Sequence, residues 1–387
     1  MENLIQEVSE IRDVKRRRAL LKRRGLREPE LSRVLDAAHF LSKGRLKFPR
    51  AAKMRFDRDG LAQASSQPLA EYRTWKMRNQ LGKVGKALDV GSGIGGDTIF
   101  MAMRWRVVSV DRDPEKMEML LHNVGVYNVG RNVETVVGDI YDLLDDPGFR
   151  EKVSDVDVVF FAPSRRSGGR RTVRFEEYEP PLSLVERLLE VSPNLCVEVA
   201  PAADLSRMEY DCDIEVISNK GEVKEVVLWF GGLKLSKDRR AVMATKLPER
   251  MTRVRNEGTR KVDVTTPKDY LYEPDPAFIK AGLIDDLAHE YGLTLLHPKI
   301  AFLTGEAFVD TPLLKPYRVL GVAEMDYDAI NDELTRLNLG RIDSKARGVS
   351  INHREVRKLV RGRGDKRGLV VFTRVNNRPS AIIAEYL

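Results

Sequence analysis

Apolar residues run in short blocks at 86–90, 107–110, 133–137, 156–161 and 195–199, separated by helix-length segments of mixed polarity. Continuous apolar strands alternating with helices predict a parallel sheet covered on both faces, a doubly wound, Rossmann-like α/β core. Two further β-rich runs, 214–218 and 223–230, are joined by Asn219-Lys220-Gly221-Glu222, which is too short for a helical crossover and suits a hairpin. The sheet is therefore expected to end antiparallel. Ahead of this core, residues 1–60 are polar and basic, with Leu31, Val34, Leu35 and Ala38 at helical spacing after Pro29, and they predict two or three small helices. After Gly231-Gly232 the chain turns Lys/Arg-rich and Pro-punctuated, and it ends in a helix near 327–337, a basic segment and strands at 368–374 and 380–386. The expected domains are 1–60 (basic, helical), 61–235 (the α/β core), 236–316 (linker and a small domain) and 317–387 (a terminal α+β domain).

The chemistry concentrates at the first strand end, Asp89-Val90-Gly91-Ser92-Gly93-Ile94-Gly95-Gly96-Asp97-Thr98. Glycines suit a backbone that passes close to a ligand, and the following helix start offers free N–H groups. Gly91, Gly93 and Gly96 fit the dinucleotide spacing G-x-G-x-x-G, whereas Asp89, Gly91, Gly93 and Gly95 fit the acidic-x-G-x-G-x-G loop of class I S-adenosylmethionine methyltransferases. The flanks favour the second pattern. Asp89 would repel a pyrophosphate but suits a ligand that carries a sulfonium and an ammonium. Asp111 ends the second strand where a ribose diol would sit, a feature common to both patterns. Asp139 follows the third strand, placed to accept from an adenine amino group. A structural reading stands beside each acid, since Asp residues routinely cap helices, and Asp111-Arg112-Asp113-Pro114 would cap the next one. Their order on successive strands favours a cofactor site, in which Asp97 would join Asp89 at the ammonium.

Beyond the loop, the chain resembles predicted class I methyltransferases that carry a C-terminal THUMP-like domain. The resemblance rests on Leu46-Lys47-Phe48-Pro49, Leu61-Ala62-Gln63-Ala64-Ser65-Ser66, the glycine loop, Ala162-Pro163-Ser164-Arg165-Arg166 through Gly168-Gly169-Arg170-Arg171, Tyr178-Glu179-Pro180-Pro181, 221–231 and Tyr272-Glu273-Pro274-Asp275-Pro276. It implies S-adenosylmethionine as cofactor, a small ferredoxin-like insert, a terminal module similar to those that present RNA to modifying enzymes, and transfer to a base nitrogen in tRNA or rRNA. Pro163 and Ser164 would then frame the target base. One departure matters: the acid that the resemblance places after the fourth strand is Ala162 here. A backbone carbonyl of Phe161 or Ala162, or the Ser164 hydroxyl, would have to substitute, or catalysis is lost.

Charge adds a partner class. The 387-residue chain holds 66 Lys+Arg against 58 Asp+Glu, a formal net charge of +8. Arg165, Arg166, Arg170, Arg171 and Arg174 follow the fourth strand with no acid between them, and guanidinium groups bind phosphate bidentately. Basic runs at 15–24 and 354–367 extend this character to both ends, although such runs also make solvated helix faces. With the THUMP-like resemblance they point to RNA. Cys196 and Cys212 stand outside the contexts of thiol-dependent base methylation and fit a reducing cytoplasm, and the five histidines show no metal spacing. The N-terminal residues lack a basic-then-apolar leader pattern, so a soluble cytoplasmic protein without metal is expected. Trp75 and Tyr178 are candidate stacking platforms for a base. Two other classes stay open: a non-catalytic RNA-binding protein that keeps the fold, for which Ala162 speaks, and an NAD-binding oxidoreductase.

Overall fold

The computed structural model describes residues 2–164, 166–167, 170–235, 240–255, 258 and 261–387, in two compact units: 1–214 with 225–241, and 215–224 with 242–387.

The first unit opens with helices α1 (Glu2–Glu10), α2 (Val14–Arg23) and α3 (Glu30–Gly44), whose facing residues Val8, Leu21, Leu31, Val34 and Ala38 form a small core. The basic run here is partly structural. Arg17 is buried and donates to the carbonyls of Ile11 (2.5 Å) and Ser9 (3.1 Å), closing the α1–α2 turn. Arg18 and Arg24 pair with Glu28 and Glu7. Helices α4 (Arg58–Gln63) and α5 (Gln67–Leu81) lead into the sheet, so the expected 60/61 boundary falls inside a helix.

Seven strands of a nine-stranded sheet are β1 (Lys86–Val90), β2 (Arg106–Asp111), β3 (Val133–Val137), β4 (Val158–Phe161), β5 (Leu195–Val199), β6 (Asp213–Asn219) and β7 (Glu222–Trp229), in the order 3-2-1-4-5-7-6. Pairs from β3 to β5 are parallel, and β7 runs antiparallel to β5 through Cys196–Trp229 and Val199–Val226. Lys220 and Gly221 turn the β6–β7 hairpin with positive φ, as a two-residue hairpin turn requires. Strands β1, β4 and β5 are close to fully buried on both faces, which is why they read as unbroken apolar runs, whereas β3 at the sheet edge is partly exposed. Parallel strands with reversal beside β1 put every candidate acid at one carboxyl edge, where open α/β sheets bind ligands.

In the second unit, strand Leu314–Glu324 pairs with Tyr270–Pro274 on one side and Arg378–Tyr386 on the other. It therefore runs through the expected 316/317 boundary, and segments expected as two small domains share a seven-stranded sheet. Helices Tyr327–Arg336 and His353–Leu359 cover one face with Ile330, Leu334 and Val356 against Val370, Phe372, Ala381 and Ile383. Strands Lys366–Val375 and Arg378–Tyr386 meet at Asn376-Asn377, both at positive φ. Among the described residues, no helix is long and apolar enough to cross a membrane.

Candidate cofactor and target site

A cavity of about 310 Å3 lies along the carboxyl edge of β1, β2, β3 and β4, within the range of small-molecule sites of about 300–1,000 Å3. The glycine loop forms its floor. Gly91 N and Ser92 N both donate to Val110 O, at 2.9 and 3.1 Å, tying the loop to β2. Gly91 has φ +78°, and a Cβ there would lie 2.9 Å from the carbonyl oxygen of Ala162. Gly93, at φ +54°, would project a Cβ into open space. The left-handed backbone at both positions is one that glycine adopts readily, and both residues line the cavity. Asp111 accepts from Gly93 N at 2.8 Å and from Asp113 N at 3.0 Å, and Asp139 accepts from Tyr141 N at 2.8 Å as the cap of helix Ile140–Asp145. Both acids line the cavity; Asp139 is a helix cap as well, whereas the cap of helix Pro114–Val126 is Asp113, outside the lining.

Asp89 is placed differently. It is buried beneath the loop, accepts from Thr98 Oγ1 at 2.5 Å, leaves Oδ1 without a partner and does not line the cavity. Gly95 likewise stays outside the lining, where Gly96 packs against Ala64 and Ser65. Burial, reinforced by the Asp97 carboxylate, raises the Asp89 carboxyl from 3.8 to about 8. The folded chain thus holds a proton there that the unfolded chain releases. Stability from this group is full at low pH and declines as pH rises from 3.8 toward about 8. The melting temperature is expected to fall by about 3–5 °C per pH unit over this interval, and Asp89→Asn to flatten the decline, as scanning calorimetry would read. A slope untouched by the substitution would exclude Asp89 as its source.

Beside the loop sits a charge cluster that the sequence did not reveal. Arg73 of α5 is 1 % exposed; its Nη2 lies 2.5 Å from Asp97 Oδ1 and donates to Ser65 Oγ at 2.5 Å. Its Nη1 meets Glu225 on β7 and lies 3.5 Å from Glu198 on β5. The guanidinium also lies over the Phe160 ring, 5.1 Å from its centroid. Burial works against the Arg73 charge, but Asp97, Glu225 and Glu198 overcome it and hold the group well above its ordinary value. Burial raises the Asp97 and Glu225 carboxyls, with Arg73 opposing. Asp97, Glu198 and Ser65 line the cavity. Lys47 Nζ donates to the carbonyls of Leu61 (2.7 Å) and Ala64 (2.6 Å), so the helical region builds this wall. These residues lie far apart in sequence, and no local motif announces them.

Pro163 and Ser164 line the same cavity, with Ala162, Glu179, Pro180 and Pro181. Ser164 and Glu179 exchange backbone hydrogen bonds at 2.8 and 2.9 Å, and Arg112 pairs with Glu179 at 2.7 Å across the mouth. Arg165 lies outside the described residues. Arg166–Ser167 and Arg170–Arg171 form a short antiparallel ribbon. Arg174 pairs with Glu177 at 3.4 Å. Tyr178 is not an exposed platform: it is buried, its ring stands edge-on to Phe175, and its hydroxyl accepts from Ala200 N at 3.1 Å. Trp75 is exposed but does not line the cavity, whereas half-buried Tyr141 does. Burial raises both thiols, Cys212 to about 12, leaving neither as a ready nucleophile. Among the described residues no His, Cys, Asp or Glu group could hold a metal ion.

Sheet order and cleft define a class I methyltransferase fold. Residues 84–191 match the RNA cap guanine-N2 methyltransferase family, and residues 270–311 match a ferredoxin-like domain within the segment where one was expected. Relatives in two strains of Mycobacterium tuberculosis, each described as an uncharacterized S-adenosylmethionine-dependent methyltransferase, are 28% identical over 337 residues, covering 86% of this chain and 88% of theirs. A crystal structure from Porphyromonas gingivalis W83 with a methyltransferase designation superposes with a TM-score of 0.75 at 19% identity, covering 93% of this chain and 92% of that one. Fold, cleft and relatives place the chain among S-adenosylmethionine-dependent methyltransferases.

Proposed function

We propose that this chain methylates a base nitrogen in structured RNA, tRNA or rRNA, with S-adenosylmethionine as donor. The observation that carries the reading is the cleft itself, which Gly91, Gly93, Asp97, Asp111 and Asp139 line together with Pro163 and Ser164. Gly91 and Gly93 admit the methionine portion, Asp97 faces its ammonium, Asp111 the ribose and Asp139 the adenine edge. Asp89 acts from below by setting the loop through Thr98. The cofactor supplies a methyl group already activated on a sulfonium, so the protein's part is alignment and exclusion of water. Pro163 and Ser164 hold the base, and Arg165, Arg166, Arg170 and Arg171 meet its phosphates. The match of 84–191 to an RNA-modifying family supports an RNA substrate, as does the net charge of +8. The C-terminal sheet is read as the THUMP-like module that presents the RNA.

The test is incubation with isotopically labelled S-adenosylmethionine and total cellular RNA, followed by nucleoside mass spectrometry. A labelled N-methyl nucleoside is expected. Binding of S-adenosylhomocysteine without transfer to any RNA would instead support the second reading, an RNA-binding protein with a silent cleft, which Ala162 favours. Thermal stabilisation by NAD(H) and not by S-adenosylhomocysteine would overturn both.

A further inference from the structure

The acid missing at Ala162 has a neighbour. Strands β4 and β5 pair in parallel through Val159–Leu195, Phe160–Cys196 and Phe161–Val197; continued by one residue, this register brings Ala162, just past the end of β4, level with Glu198 of β5. Residues level with each other on adjacent parallel strands, less than about 5 Å apart, direct their side chains to the same face. Both residues line the cavity, together with Pro163 and Ser164. Ala162 offers only a methyl group, so the space beside Glu198 stays open to a ligand.

Glu198 is also held in place. Ser65 Oγ donates to its Oε2 at 3.2 Å, and Arg73 Nη1 lies 3.5 Å from the same oxygen. Its side chain is 10% exposed, which presents an edge to the cleft without freeing the group to rotate away. Asp97 takes the closer approach to Arg73, at Nη2, whereas Glu198 approaches Nη1. The division suggests two duties for the two acids.

We infer that Glu198 supplies the acceptor that Ala162 lacks: its carboxylate receives the N–H of the target nitrogen and turns the lone pair toward the methyl group. This rests on the base-nitrogen reading above. The nitrogen lone pair forms the new N–C bond, the methyl–sulfur bond breaks with its electrons on sulfur, and the surplus N–H proton passes to Glu198 and then to water. The acid of amino methylation has in effect moved one strand sideways.

Sinefungin carries a protonated amine where the methylsulfonium would stand, so it probes this position without RNA. By calorimetry the wild-type protein should bind sinefungin at least about tenfold more tightly than S-adenosylhomocysteine, as a cation beside a poorly solvated carboxylate requires. Glu198→Gln should reduce that preference to within about twofold, with S-adenosylhomocysteine affinity nearly unchanged. With RNA, transfer should drop about a hundredfold and recover at least tenfold in Ala162→Asp/Glu198→Gln, the expected scale for one positioned proton acceptor. An unchanged preference, or parallel loss of both affinities, overturns the assignment. Where Glu198→Gln melts markedly early, Glu198→Asp decides: a retained preference supports the role and a lost one overturns it. A product methylated on carbon or oxygen would refute the base-nitrogen reading, while the analogue preference would still score Glu198.

Discussion

Arg73→Met is expected to lower the melting temperature by about 10 °C, the largest stability loss of any substitution near the cleft. Arg73 is the cation that Asp97, Glu198 and Glu225 share, and each of these carboxyl groups is at most about an eighth exposed. Removing one partner of a buried ionic cluster costs about 3–5 kcal/mol, because the charges left behind are neither solvated nor paired. For a domain of this size each kcal/mol moves the melting point by about 2–4 °C. Lysine should not rescue the loss, since a single ammonium cannot fork toward Asp97 and Glu225 from opposite sides as the guanidinium does. Arg73→Met/Glu225→Gln should regain part of it, because one unpaired charge is then gone. Calorimetry of the three variants tests this, and a loss below about 1 kcal/mol for Arg73→Met would mean that water reaches the cluster.

The largest expected binding effect comes from Gly93→Ala, paired with Gly91→Ala as its contrast. At Gly93 the added methyl meets nothing within 4 Å, so the apo protein loses only the left-handed backbone penalty, about 1–2 kcal/mol. The methyl would occupy the space the ligand needs, and S-adenosylhomocysteine affinity should fall at least tenfold. At Gly91 the same methyl would lie 2.9 Å from the Ala162 carbonyl, so both stability and affinity should fall. Titration calorimetry with thermal melting separates the two. Unchanged affinity in Gly93→Ala would move the cofactor away from the loop.

The parallel core and its antiparallel end could be read in advance because they rest on local rules. Buried parallel strands must be apolar throughout, crossovers need helix-length connections, and a four-residue link between 218 and 223 admits only a hairpin. The glycines and the acids at 89, 97, 111 and 139 were legible for the same reason, since each lies at or shortly after the carboxyl end of a strand. Strand Leu339–Ala346 was not, because its pattern lacks an apolar run and its pairing with Lys366–Val375 is parallel and non-local. Tyr178 was misplaced as a platform because its hydroxyl finds Ala200 N, a partner more than twenty residues away.

Pattern and spacing therefore carried the architecture, the glycine loop and the type of cofactor, all of which depend on residues close together in the chain. They could not carry the assignment of roles within the cleft. Which acid faces the cavity and which lies under it, which arginine staples a turn and which is shared by buried carboxylates, depends on burial and on partners, which for Arg73 lie 24 to 152 residues away. A side chain's charge, solvation and reach are set by those neighbours, and folding alone brings Arg73, Asp97, Glu198 and Glu225 to one edge of the sheet.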